Sequence, residues 1–177
     1  MTSRLHAWVR DALQHDVDGV LTYHSWVLPH RKCVCMTVPK NACSRIKLTL
    51  LSLDGHADVV HLGDVHDRGL RLAAFGESEI VTMLSDPSWF RFCFVRNPYD
   101  RLLSAYKTQV GNTWNEDYRW LREDIKRTMG YPPDAHGPER LVCFRDFVHY
   151  LRDAPARVRR DGHFNLQSRL LLPGVIS

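Results

Sequence analysis

Two segments of the chain share one pattern: a short apolar run, a polar loop and then a helix-like repeat of apolar residues. In the first segment the apolar run covers residues 33–38 and the loop residues 39–44. In the second the run covers residues 92–95 and the loop residues 96–98. Apolar runs of this length that end in charge or proline are typical of buried strands. The repeated pattern predicts an α/β fold in which a central parallel sheet is flanked by helices.

The first loop has the chemistry of an anion site. Ser44 is predicted to cap the helix that follows, and the N–H groups in the first turn of a helix have no partner within it. The helix dipole adds positive potential at the same end. Lys40 supplies a cation and Ser44 a hydroxyl donor. The loop thus indicates a phosphate or sulfate site, although an ordinary strand-to-helix connection with a surface lysine fits the loop alone equally well.

The second unit places an arginine and a serine where they could contact one ligand. Pro98 suits the first turn of a helix, and Asn97 suits its cap. Arg96 then lies at the carboxyl end of its strand, and Ser104 follows about two turns along the helix. Ligands of open parallel sheets bind at the carboxyl ends of the strands, where an arginine fork and a hydroxyl could grip a phosphate. The alternative, a capping arginine in a surface salt bridge, is less favoured for two matching units.

The stretches VPKNACS and FVRNPYDRLLSAY resemble the paired nucleotide-binding motifs of sulfotransferases that use 3′-phosphoadenosine 5′-phosphosulfate (PAPS). The resemblance is greatest to sulfotransferase family 2, the carbohydrate sulfotransferases of the HNK-1 and chondroitin/dermatan 4-O type. In that family the first loop reads like VPKxGCS and binds the 5′-phosphosulfate. The second reads like FVRxPxxRLxSAY and binds the 3′-phosphate. The resemblance implies a three-layer, P-loop-like fold and an enzyme that transfers a sulfuryl group from PAPS to a hydroxyl, with a carbohydrate as the first expectation.

Carried over residue by residue, the resemblance assigns the 3′-phosphate to Arg96 and Ser104 and the 5′-phosphosulfate to the first loop. Lys40 is expected to stabilise the charge that develops on the leaving 5′-phosphate oxygen. The first-loop residues predicted to bind the cofactor are Pro39, Lys40, Asn41, Ala42, Cys43, Ser44 and Arg45.

Three histidines, His56, His61 and His66, follow the first helix at intervals of five residues. Zinc ligands have other spacings, so we predict no metal. A general base is the better functional interpretation, because histidine titrates near neutral pH. In the resembled family a Val/Ala-His pair lies at about this distance from the first loop, and His61 matches it better than His66. His61 is therefore the predicted base, with His66 and His163 as reserves. An ordinary loop histidine is an equal interpretation of His61 or His66 alone.

Composition bounds the class of protein. The chain has 177 residues, enough for one domain, with 44% hydrophobic residues and a net charge of +4. That mild basic excess suits an anionic cofactor and is too small to indicate nucleic acid. No apolar run is long enough to span a membrane. Five cysteines without a secretory signal favour free thiols in a reducing compartment. The Golgi members of the resembled family carry an N-terminal membrane anchor, and no such segment is recognisable here. Set against the resemblance, this leads us to expect a soluble, cytoplasmic and bacterial protein, or alternatively part of a longer chain, and the oligomeric state stays open.

Apolar spacing predicts the remaining elements of one sulfotransferase-like domain over residues 1–177, preceded by a helical lead-in over residues 1–30. Helices are expected at residues 3–14, 114–129 and 141–151, and at residues 67–85 either as one helix or as one broken at Gly76. An extended segment is expected at residues 20–28.

The chain ends in a segment that also resembles the family. DGHFNLQ, which contains His163, is similar to the family's xxHWxPQ. Family members usually continue with another strand and a helix beyond the point that corresponds to Ser177, so the resemblance implies that the C-terminal part of the family domain is missing. That keeps open a truncated relative that only binds nucleotide or a partner. A P-loop kinase or nucleotide hydrolase is a second alternative. The absence of GxxxxGK[ST] disfavours the kinase.

Overall fold

The computed structural model describes residues 2–16, 18–55, 64–66, 68–132 and 141–171. The chain forms two compact units, Met1–Val95 with Leu166–Ser177, and Arg96–Asn165. The first unit contains the strands and the first loop, and the second is helical where it is described.

The first unit builds a mixed sheet of three strands in the order β1-β2-β3. β1 pairs antiparallel with β2, and β2 pairs parallel with β3. The α/β prediction is confirmed, but the expectation of a wholly parallel sheet is wrong at β1. The connection between β1 and β2 is a single short turn, Pro29–Arg31, and a turn of that length can only return the chain antiparallel. The elements are α1 (Thr2–Gln14), β1 (Ser25–Leu28), β2 (Cys33–Met36), α2 (Cys43–Leu53), α3 (Glu77–Ser85) and β3 (Phe90–Cys93).

The two faces of β2 pack against different helices. Val34 and Met36 lie in a cluster with residues of α1 and α3. Cys33 and Cys35 lie in another cluster with Leu50 of α2. Alternate residues of a strand point to opposite faces, which confirms the prediction that both cysteines share one face for packing. Burial, with the neighbouring thiols adding to it, raises the pKa of Cys35 to about 12.

β3 is less buried than its apolar sequence predicts. It starts at Phe90 and ends at Cys93, so Phe94 and Val95 leave the sheet and are 51% and 65% exposed. The parallel register sets Met36 opposite Cys93. The carboxyl ends of β2 and β3 therefore lie at the same edge, as the pattern of strand and loop predicts.

The helix predicted at residues 67–85 forms only in its second half. α3 begins after Gly76, whose N–H donates to the Glu79 carboxylate at 2.9 Å. Before it, Leu70 makes a β-bridge with Val27, and Leu72 is fully buried. The Leu70 carbonyl accepts from the Val27 N–H at 3.0 Å, and Leu72 packs in the cluster that contains Val27, so these contacts with β1 outweigh the helical spacing.

The helical unit confirms the predicted start of α4 (Pro98–Ala105). Asn97 caps it, since its Oδ1 accepts from the N–H groups of Tyr99 and Asp100 at 3.0 and 3.4 Å. α5 (Arg119–Thr128) and α6 (Phe144–Asp153) start later than predicted, and α7 (Ala156–Arg159) was not predicted. A π-helical turn, Tyr106–Val110, extends α4. The buried core of this unit is Val110, Leu121, Ile125, Val142, Phe147, Tyr150, Ala154 and Val158.

The β2–α2 loop has an unusual backbone. Lys40 and Ala42 adopt left-handed φ angles of 70° and 59°, a region that residues other than glycine rarely occupy. The family pattern VPKxGCS has glycine where this chain has Ala42, and the φ angle explains that preference. Ala42 is also the N-cap of α2, so the prediction that Ser44 caps this helix is wrong. Ser44 is the second residue of the helix.

The left-handed backbone at Ala42 generates a prediction. Ala42→Gly should change the free energy of unfolding by no more than about 1 kcal/mol. Glycine removes the backbone strain of alanine at positive φ, and this gain offsets the larger conformational entropy that glycine gives the unfolded chain. Ala42→Val should destabilise by about 1–3 kcal/mol, since a β-branched side chain fits this region poorly. Ala74 is exposed like Ala42, so Ala74→Val is the matched control. Urea unfolding measures all three, and equal costs for valine at both positions would contradict the argument.

Candidate anion-binding site

The first loop is held from inside by Asn41. The side chain of Asn41 is buried, and its Nδ2 donates to the Phe94 carbonyl at 2.8 Å and to Gln167 Oε1 at 2.7 Å. Pro39 is buried as well, whereas Lys40 is half-buried and Arg45 is exposed. The loop thus places its anchors inward and its cations toward the surface.

The start of α2 supplies backbone donors. The first bond of the helical ladder runs from the Ile46 N–H to the Ala42 carbonyl at 3.0 Å. The N–H groups of residues 43–45 precede it and have no acceptor within the helix. Together with the helix dipole and with Lys40 in the preceding loop, these groups suit the anion site that the sequence predicts, and anion binding there stays a prediction.

Ser44 contacts a histidine and, through it, a buried lysine. Ser44 Oγ lies 3.0 Å from His66 Nε2, and His66 Nδ1 lies 3.2 Å from Lys47 Nζ. Ser44 and Lys47 are three residues apart, so both project from one face of α2. The short helical turn Asp64–His66 brings the imidazole against that face. Of the reserve bases, His66 is therefore the one that contacts the first loop's helix.

Lys47 is buried beneath this site. It is 1% exposed, and its Nζ lies 5.0 Å from the ring centroid of Tyr23 and 5.5 Å from that of Trp26. The Arg71 guanidinium packs on Trp26 at 4.3 Å and donates to the His66 carbonyl at 2.8 Å. These aromatic faces favour a cation next to them. They keep positive charge close to Ser44.

Sequence reasoning missed Lys47, although a signal for it existed. The apolar residues that indicate this helix are Ile46, Leu48, Leu50 and Leu51, and that pattern passes over the lysine. In the structure the buried residues of this helix are Lys47, Leu50 and Leu51. That is the i, i+3, i+4 stripe of a helix, and the stripe includes the lysine.

The predicted base lies outside the described residues. His61 falls within residues 56–63, as does His56, so its role stays a prediction. Among the residues that the structure describes, no group of three or more potential metal ligands occurs. In the same residues, no helix is long and apolar enough to cross a membrane.

Arg96 and Ser104 both belong to the helical unit. Arg96 is exposed and stands immediately before the Asn97 cap of α4. Ser104 is half-buried in the last turn of the same helix. Lys40 and the first loop belong to the other unit. The second motif thus keeps the predicted arrangement, with an arginine at the entrance to the helix and a serine farther along it.

Arg101, within the same motif, has a role that sequence reasoning missed. Its side chain is 6% exposed, and its guanidinium donates to the carbonyls of Gly162 and Asn165 at 2.6 and 2.8 Å. Burial lowers the pKa of Arg101, and the nearby Asp161 carboxylate partly offsets that effect. Arg101 therefore fastens the segment around His163 to α4.

His163, the other reserve base, is held by a carboxylate. Its Nδ1 lies 2.9 Å from Asp161 Oδ1, and the Tyr118 hydroxyl donates to Asp161 Oδ2 at 2.8 Å. Although burial would raise it, the pKa of Asp161 is lowered by the hydrogen bonds from His163 and Tyr118. Because an ionised carboxylate only accepts, Nδ1 carries a hydrogen, and in the neutral form of the ring Nε2 then has the lone pair. This tautomer is the one that a general base requires.

The Arg101 contacts generate a second prediction. Arg101→Met should lower the free energy of unfolding by about 2–4 kcal/mol, because two carbonyls lose a charged donor while the apolar stem is kept. Arg119, which is 69% exposed, gives the matched control Arg119→Met. Guanidinium unfolding of both variants measures the difference. A loss at position 101 no larger than that at position 119 would show that the clamp does not stabilise the fold.

Comparison with known proteins agrees with these motifs. The family model described as "Sulfotransferase family" matches residues 23–176. Carbohydrate sulfotransferase 10 of Danio rerio is 33% identical over 147 residues, which are 76% of this chain and 39% of that protein. Carbohydrate sulfotransferase 14 of Homo sapiens is 35% identical over 120 residues, 66% of this chain and 31% of that protein. Carbohydrate sulfotransferase 14 of Mus musculus is 31% identical over 130 residues, again 66% and 31%.

The chain spans roughly a third of the length of these curated relatives, between 31% and 39%. No solved structure matches it significantly. The family match nevertheless covers most of the chain, including both motifs and the segment around His163. The chain belongs to the sulfotransferase family, within the group of carbohydrate sulfotransferases predicted from its two motifs.

Proposed function

We propose that this protein binds PAPS and transfers its sulfuryl group to a hydroxyl, with a carbohydrate as the acceptor. The observation that carries the proposal is the start of α2, where backbone donors, Lys40 and Ser44 stand together and a buried cation lies behind them. Family membership supplies the reaction class, and the names of the relatives supply the carbohydrate.

The two motifs divide the cofactor between them in this proposal. The first loop, residues 39–45, holds the 5′-phosphosulfate through the N–H groups of α2, Lys40 and Ser44. Arg96 and Ser104 hold the 3′-phosphate, for which an exposed guanidinium and a hydroxyl on one helix are suitable donors. The parallel pairing of β2 with β3 supports a P-loop-like, three-layer arrangement, in which both loops follow neighbouring strands.

The protein's own groups have three tasks in such a reaction. Lys40 and the N-terminus of α2 stabilise the negative charge that develops on the leaving 5′-phosphate oxygen, which PAPS supplies as its bridging atom to sulfur. The loop orients the reacting groups, since in-line displacement requires a fixed geometry. A base accepts the proton of the attacking hydroxyl, for which His61 is our first choice. Adenosine 3′,5′-bisphosphate is the remaining product.

The acceptor, the other partners and the cellular compartment of the protein are proposals as well. A carbohydrate is the favoured acceptor, and other hydroxyl-bearing molecules fit the same chemistry. We propose no nucleic-acid partner, because the net charge of +4 is small. The cytoplasmic, bacterial setting rests on the sequence alone, and the cysteines are free thiols.

A transfer assay tests the function. Purified protein is incubated with radiolabelled PAPS and a mixture of glycan acceptors, without added magnesium. Label should pass to glycan. A protein that binds nucleotide and transfers nothing would be the truncated, non-catalytic relative. In a parallel incubation with ATP, with and without magnesium, hydrolysis that requires the metal would indicate the kinase class.

The same assay ranks the histidines. His61→Ala should lower turnover at saturating PAPS by about 10²–10⁴-fold, the usual contribution of a general base. His66→Ala and His163→Ala are compared in parallel. If His61→Ala keeps its turnover while His163→Ala loses it, the base is the histidine that Asp161 holds. If all three variants retain turnover, the base is not one of these histidines.

Calorimetry with adenosine 3′,5′-bisphosphate tests the cofactor site without any acceptor. The product should bind, and Arg96→Ala should weaken binding by about 1.5–3 kcal/mol through loss of a charge-assisted contact. Arg145, exposed on α6 and outside both motifs, gives the control Arg145→Ala. No binding to the unmodified protein at millimolar ligand would exclude the proposed function.

A further inference from the structure

With Lys47 as an ammonium, the contacts beneath Ser44 can have only one direction. A lysine ammonium has three donors and no acceptor, so where Lys47 Nζ meets His66 Nδ1 at 3.2 Å, the imidazole nitrogen accepts. A neutral imidazole carries one hydrogen, which must then be on Nε2. Nε2 lies 3.0 Å from Ser44 Oγ and donates to it. The hydrogen bonds therefore run from Lys47 through His66 to Ser44.

The protonated form of Lys47 is supported by its surroundings. Its Nζ lies over the rings of Tyr23 and Trp26, at 5.0 and 5.5 Å, and aromatic faces attract the ammonium and not the neutral amine. The neutral amine would permit the reverse direction, in which Ser44 donates to Nε2. The aromatic contacts favour the first direction.

The direction of these bonds decides what Ser44 can do. Because Ser44 Oγ accepts from His66, its own hydrogen is directed away from the imidazole. Ser44 is the second residue of α2, in the turn whose N–H groups precede the helical ladder. We propose that Lys47 and His66 are positioning residues of the anion site: they orient the Ser44 hydroxyl as a donor to the sulfate or phosphate group bound there. The identity of that ligand rests on the proposed function.

One consequence separates the two reserve histidines. His66 cannot accept a proton from an acceptor hydroxyl while Nδ1 is bonded to Lys47 and Nε2 carries a hydrogen. His163 has the opposite tautomer, with its hydrogen on Nδ1 toward Asp161. His66 is therefore part of the binding site, and the base is another group.

Nitrogen NMR of the ligand-free protein tests the direction. Long-range proton–nitrogen correlations of the imidazole rings distinguish the two tautomers, and loss of one set of signals in His66→Gln assigns them. We expect the hydrogen of His66 on Nε2 and an unprotonated, hydrogen-bonded Nδ1. A hydrogen on Nδ1 would overturn the proposal. This result does not depend on nucleotide binding, so it holds or fails separately from the proposed function.

A double-mutant cycle tests the consequence for binding, with adenosine 3′,5′-bisphosphate and PAPS as probes in calorimetry. Ser44→Ala and Lys47→Met should each weaken binding about 10-fold, the loss expected for one oriented hydrogen bond. The double variant should be no weaker than about the worse single variant, since Lys47 acts through Ser44. Wild-type affinity in Lys47→Met, or losses that multiply, would contradict the proposal.

Lys126 provides the matched control, because it is another buried lysine, 2% exposed, outside both motifs. Lys126→Met should bind the bisphosphate within about twofold of wild type. If Lys126→Met weakens binding as much as Lys47→Met, the effect is general destabilisation and the proposal fails. If Lys47→Met does not fold, Ser44→Ala and the tautomer of His66 still decide the question.

Discussion

The side-chain amide of Asn41 joins three parts of the first unit that are distant in sequence. It binds the Phe94 carbonyl, 53 residues away, and Gln167, 126 residues away. The loop that contains Asn41 has two left-handed residues, Lys40 and Ala42, and such a backbone persists only where the surroundings fix it. The buried amide supplies that support. Because Asn41 already fixes the loop, an anion that bound there would not have to order it, which would lower the cost of binding.

Both units contain a buried cation, but each one prepares a histidine differently. In the first, Lys47 donates to His66 and leaves its second nitrogen as a donor. In the second, Arg101 fixes the backbone around His163, and Asp161 leaves the second nitrogen of His163 as an acceptor. The same imidazole ring can therefore serve as a binding group or as a base, depending on whether a cation or a carboxylate contacts Nδ1.

Local sequence patterns predicted the features that depend on neighbouring residues alone, such as strand alternation and helix capping. The strand at Cys33–Met36, the shared face of its two cysteines and the Asn97 cap follow from alternation and capping rules, and the structure confirms them. The direction of β1 depends on a turn whose geometry the apolar pattern does not contain. The irregular stretch before α3 depends on the backbone bridge of Leu70 to Val27 and on the burial of Leu72. Long-range contacts outweigh helical spacing there.

The candidate site was also predictable only where local sequence patterns determine it. Lys40, Arg96 and Ser104 stand in recognisable motifs, and motifs are local. Lys47 and Arg101 become informative only through burial and through partners 19 to 64 residues away. A lysine inside an apolar helical stripe is a usable signal for the first of these. The partners of Arg101 are backbone carbonyls, and because every residue has one, the sequence does not show which of them the arginine contacts.

We propose that the start of α2 binds the 5′ end of PAPS while Arg96 and Ser104 bind its 3′-phosphate. The most direct measurement is a crystal structure of this protein with adenosine 3′,5′-bisphosphate. We expect the 5′-phosphate within hydrogen-bond distance of the Ser44 hydroxyl and the N–H groups of residues 43–45, and the 3′-phosphate against Arg96 and Ser104. A nucleotide bound elsewhere, or bound with its two phosphates exchanged, would contradict the account.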